Sequence, residues 1–73
     1  MTIEILKRVI WRVRERNPGK SLIRRKEVEY AIMCECGTYE ETIWENIKAL
    51  KKLGWIRTER RQYRIYFDRV DST

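Results

Sequence analysis

Three glycines, Gly19, Gly37 and Gly54, cut the chain into short stretches, and each follows an apolar series recurring every three or four residues. A residue free to take positive φ at the end of such a series stops a helix. The chain is therefore limited to three short helices, a link between the first two, and whatever lies beyond Gly54.

In the first series, Ile3, Leu6, Ile10 and Val13 fall on one stripe, which predicts helix 1 over about residues 2–16. Asn17-Pro18-Gly19 ends it, because Pro lacks an amide and biases the residue before it away from helix. In the second, Val28, Ala31, Ile32 and Cys34/Cys36 predict helix 2 over about 25–35. In the third, Ile43, Ile47, Leu50 and Leu53 predict helix 3 over about 39–53, with Lys51 and Lys52 in its last turn. Thr38-Tyr39-Glu40-Glu41 matches a capping box at its start.

Ser21-Leu22-Ile23 carries two aliphatics directly after a turn and predicts a short strand at 21–23. Trp55 to Glu59 and Tyr63 to Phe67 are rich in aromatic and β-branched residues, so 55–67 reads as a β-hairpin. Its loop, Arg60-Arg61-Gln62, lacks the Asn-Gly of a two-residue turn, so a longer and mobile tip is expected. Residues 68–73 read as a frayed tail. The class is α+β, in a single domain over 1–73, since 73 residues cannot be divided further.

Composition narrows the function classes. With no His and only Ser21 and Ser72 as serines, His-based acid/base catalysis and Ser/His triads are excluded, and no enzyme is expected. Two cysteines without a histidine fall short of a closed zinc site, so neither metal nor cofactor is expected. No run approaches the length of a membrane span and no secretory signal opens the chain, which points to a cytoplasmic protein without membrane partner or evident small-molecule substrate. Abundant Arg, Lys, Glu and Ile with one Gln, Gln62, resembles hyperthermophile usage. The net charge of +6 on so small a chain calls for a polyanionic partner, most often nucleic acid.

The order helix, short strand, helix, helix, hairpin resembles the winged helix-turn-helix family over about residues 3–67. The stretch that carries the resemblance holds Gly37, Thr42-Ile43, Ile47, Leu50, Gly54 and Trp55-Ile56. It is similar to small archaeal, viral or plasmid transcription regulators. The resemblance implies a sequence-specific double-stranded DNA-binding regulator whose helix 3 enters the major groove while the wing follows the backbone or minor groove. It implies reading positions at Tyr39, Glu40, Glu41, Thr42, Glu45 and Asn46, of which Tyr39, Thr42, Glu45 and Asn46 are the base-reading candidates and Asn46 the best single one. On the wing it implies phosphate contacts from Arg57, Arg60, Arg61 and Arg64; Arg24, Arg25, Lys26, Lys48, Lys52 and the basic end of helix 1 add to them.

The charge is divided along the chain: +7 over residues 1–26, −6 over 27–47 and +5 over 48–73. Residues 27–47, most of helix 2 and the front of helix 3, thus hold Glu27, Glu29, Glu35, Glu40, Glu41 and Glu45 and no cation. Either the wing and basic segments lead binding with helix 3 held shallow, which is the preferred reading, or the acidic face docks on a basic protein and the domain is an adaptor. Ile5 and Trp11 lie off the helix 1 stripe and are expected at a homodimer interface, since a domain this small gains from association. Cys34 and Cys36 point in different directions on a helix; core packing of one and an intersubunit disulfide are both open.

Overall fold

The computed structural model describes residues 2–73. Helix α1 spans Ile3–Arg16, α2 Arg25–Cys36, α3 Glu40–Lys52 and α4 Phe67–Asp71, with strands β1 at Leu22–Arg24, β2 at Ile56–Glu59 and β3 at Gln62–Ile65. The fold is α+β, with four helices and one antiparallel sheet of order β1-β3-β2 among the described residues.

Thr2 caps α1 by accepting the amide of Ile5 at 3.3 Å. The stripe that enters the core is Leu6, Val9, Ile10 and Val13, whereas Ile3 stays 45% exposed. Ile3 lies in the first turn, outside the arc that α2 covers, and Val9 takes the inward position expected of it. From α2, Val28, Ala31 and Ile32 meet this stripe, and Ile47 and Leu50 of α3 close the core from the other side. The sheet supplies Ile23, Ile56, Tyr63 and Ile65 from one face. Alternation along the strands sends their neighbours, Arg24, Arg57, Gln62 and Arg64, to the other face.

Three local expectations are corrected. The capping box does not form: Tyr39 is the N-cap, without a side-chain bond, and the first helical bond runs from the Ile43 amide to its carbonyl at 3.1 Å. Thr38 therefore lies one residue too early to cap. The hairpin tip is not a long loop, because the pair Glu59↔Gln62 brackets Arg60 and Arg61 as a two-residue turn with φ of 50° and 65°. Such a turn needs positive φ at both central residues to match strand twist.

The third correction concerns the tail. Phe67 to Asp71 form a helix whose Val70 is fully buried. Arg14 donates to both carboxylate oxygens of Asp71 at 3.1 Å and lies 4.5 Å over the Phe67 ring, while Arg69 donates to the Gly54 carbonyl at 2.8 Å. The C-terminal segment is thereby fastened to α1 and to the α3–β2 turn. No helix among the described residues is long and apolar enough to cross a membrane.

Candidate nucleic-acid interface

Two of the carboxylates that stand alone in the sequence, Glu27 and Glu35, acquire cations from a distant segment. Arg12 bonds Glu35 at 2.8 Å and Arg16 bonds Glu27 at 3.0 Å, so α1 neutralises α2 along their shared side. The Arg16 guanidinium, followed by the Asn17 amide, holds the Glu27 carboxyl below its ordinary range. Arg14 on Asp71 adds a third such pair, so the arginines toward the basic end of helix 1 are engaged within the chain. Each of these guanidinium groups already has a carboxylate.

Arg64 is engaged in the same way. Its Nε and Nη2 both donate to Glu59, at 2.7 and 3.1 Å, and Nη1 donates to Ser21 Oγ at 3.3 Å. This fork ties the sheet together across β3 and holds the Glu59 carboxyl low. Arg57 also reaches Glu59, at 3.8 Å, but remains 69% exposed and turned to solvent.

Two of the remaining cations stand against one ring. Tyr63, central in the sheet, is 2% exposed, and two cations from separate helices stand against it: the Arg25 guanidinium 6.0 Å and the Lys51 ammonium 5.7 Å from its centroid. The first turn of α2 and the last turn of α3 therefore meet at β3. Arg24, Arg25 and Lys26 are all exposed there, and the N-cap residue Arg24 gives α2 no side-chain cap. Unbonded amides and three cations at one helix N-terminus raise a positive potential that an anion relieves. Lys48 and Lys52 are exposed on α3, and Arg60 and Arg61 on the turn of the same hairpin.

The four base-reading candidates part company. Tyr39 is 80% exposed and Glu45 is exposed on the outer face of α3. Asn46 is not a reader: it is 1% exposed, donates to the Thr42 carbonyl at 2.8 Å and accepts the Cys36 thiol at 3.4 Å. Its position between Ile43, Ile47 and Leu50 places it on the inward stripe, and this bond network is how a buried amide is accommodated. Thr42 is half-buried beside Ile5 and Cys36, on the flank of α3 away from its outer face. Burial pushes the Cys36 thiol up, whereas Cys34 is exposed; both are free.

Two residues were missed by sequence reasoning. Lys51 is one, although its place one turn beyond Ile47 and Lys48 put it on the flank facing Arg25. Trp44 is the other: it is 46% exposed and, with Glu40, Glu41, Glu45 and Lys48, lines an open depression of about 520 Å³ over the front of α3. None of those three carboxylates has a cation within ion-pair distance among the described residues. Helix α3 is thus acidic in its first half and basic in its second. No family model, no curated protein and no solved structure matches this chain.

Proposed function

We propose that the chain is a winged helix-turn-helix that binds double-stranded DNA as a transcription regulator, with the hairpin as its wing. The sheet order β1-β3-β2 backed by α1, α2 and α3 supports the fold reading. The observation that carries the function is the approach of Arg25 and Lys51 to the Tyr63 ring, which brings a cation of α2 and a cation of α3 together against the central strand of the sheet.

Phosphate is taken up by Arg24, Arg25 and Lys26 at the uncapped start of α2, by Lys48, Lys51 and Lys52, and by Arg57, Arg60 and Arg61. The acidic front of α3, with Tyr39 as its N-cap, is then held back from the backbone, and the rear half, with Glu45 at its margin, approaches the groove. A glutamate there accepts from cytosine N4. Titration of a duplex at two salt concentrations against random-sequence competitor tests the reading. The expected result is log K falling by about 0.9 per phosphate contact for each unit of log[salt].

A second reading has its own observation. Trp44 amid Glu40, Glu41 and Glu45 is a surface suited to a basic protein segment, and an adaptor of that kind shows no useful duplex affinity in the same titration.

A further inference from the structure

The outward face of α1 is used by neither the core nor the proposed DNA contact. Trp11 stands on it 40% exposed, a large ring whose apolar area a partner can cover. Arg8 and Glu15 flank it, both exposed and neither in an ion pair among the described residues. They share a shallow depression of about 410 Å³, whose far wall is fixed by the Arg12–Glu35 bridge. Ile5, expected beside Trp11, is not part of this face. Six residues separate the two, so they stand about 120° apart around the helix, and Ile5 lies against Cys36, Thr42 and Asn46.

The spacing on this face is self-complementary. Along the axis Arg8 lies about 4.5 Å before Trp11 and Glu15 about 6 Å after it. A second α1 packed antiparallel across a two-fold axis at Trp11 therefore brings each Arg8 to within about 1.5 Å, in axial height, of the partner's Glu15. The same operation stacks the two indoles beside each other. Arg8 and Glu15 both sit on one side of the line joining the helices and Trp11 on the other, so the ion pairs and the stack do not compete for space.

We propose that a second copy of this chain occupies the α1 face, forming a two-fold dimer closed by Trp11 against Trp11 and by two reciprocal Arg8–Glu15 bridges. The area argues for a reversible association. A helix of 14 residues is about 21 Å long, and one such face supplies less than the roughly 800 Å² per partner of a standard stable interface. The dimer forms with rising protein concentration and in the absence of DNA, so it stands or falls separately from the DNA reading.

Sedimentation of the whole chain over a range of concentrations, without DNA, tests it. Trp11→Ala is expected to weaken dimerisation by about thirtyfold, as loss of a central aromatic does. Arg8→Glu and Glu15→Arg are each expected to weaken it by about tenfold. The double exchange Arg8→Glu with Glu15→Arg restores it, because both bridges are re-formed with reversed sign. All these side chains are exposed, so the melting transition of each variant at low concentration reports that folding is intact. A chain that stays monomeric at every concentration overturns the proposal. So does a dimer indifferent to Trp11→Ala, or a double exchange no better than the single ones.

Discussion

The arginines of α1 and those of the hairpin turn are the same side chain in opposite circumstances. Arg12, Arg14 and Arg16 each hold a carboxylate within 3.1 Å and fasten α1 to α2 and α4. Arg60 and Arg61 have no such partner among the described residues, and their backbone is held in the left-handed region that non-glycine residues avoid. One set neutralises acids supplied by another part of the chain; the other stays charged at a conformational cost. The difference shows that a count of cations along a sequence is not a map of free charge. The tertiary pairing commits Arg12, Arg14 and Arg16 of α1 to Glu35, Asp71 and Glu27, and positive charge without such partners remains at the ends of α2 and α3 and at the turn.

The comparison breaks if the two sets prove interchangeable in binding. Arg60→Glu with Arg61→Glu is expected to cause the largest loss of duplex affinity. It should also lower the steepness of the salt dependence by about two, one for each phosphate contact removed. Arg12→Glu with Arg16→Glu makes the same change in net charge. It is expected to lower the melting temperature while leaving most of the salt dependence in place. Equal losses of affinity from both pairs, measured at one salt concentration on folded protein, would show that only net charge matters.

This contrast marks where the sequence is legible. Helices of a dozen residues declare themselves, because the period of Leu6, Ile10, Val13 and of Ile43, Ile47, Leu50 survives any tertiary arrangement. The hairpin is legible for a similar reason, through alternating aromatic and branched residues. Helix α4 is not, since five residues are too few for a period and its helicity follows from Val70 finding a place against α1. The site was legible by residue type but not by residue. Arg64 and Asn46 have the chemistry of DNA-contacting side chains, yet one is engaged by Glu59 and the other by Thr42 and Cys36. For Asn46 a helical wheel carries the warning, as it falls three residues after Ile43. For Arg64 nothing local does, because its outward position on β3 is shared by free arginines; only the cross-strand register, with Glu59 at the turn, decides it.

A smaller effect sharpens the comparison by separating binding from folding at a single place. Arg60→Asn with Arg61→Gly installs the pair that a two-residue turn with positive φ prefers. Relief of the left-handed arginines should stabilise the fold by about 1–2 kcal/mol, which for a domain of this size raises the melting temperature by several degrees. The same variant is expected to bind duplex more weakly and with a flatter salt dependence. Improved stability together with unchanged binding would mean that the turn arginines are held for no partner.

The smallest expected effect lies on the other side of the comparison, in the acid limb of stability. Glu27 and Glu59 have carboxyls held below their ordinary range, chiefly by the hydrogen bonds of Arg16 and Arg64 respectively. A depressed carboxyl contributes stability that is fully present above its unfolded value, near about 4.3, and is lost as pH falls through the folded value. The partner arginines are shifted upward, Arg16 and Arg64 alike, and so remain charged throughout that window. Melting temperatures should therefore hold level through neutral pH and decline below about pH 4. In Glu27→Gln the decline should be shallower, since the proton that would break the Arg16 bridge has no carboxylate to join. These are exposed pairs, screened by water, so the change is modest. Its value lies in its direction: an identical acid limb in Glu27→Gln and the unaltered chain would mean that the α1–α2 bridge does not hold in solution. The Arg16 cation would then be as free as those at the turn.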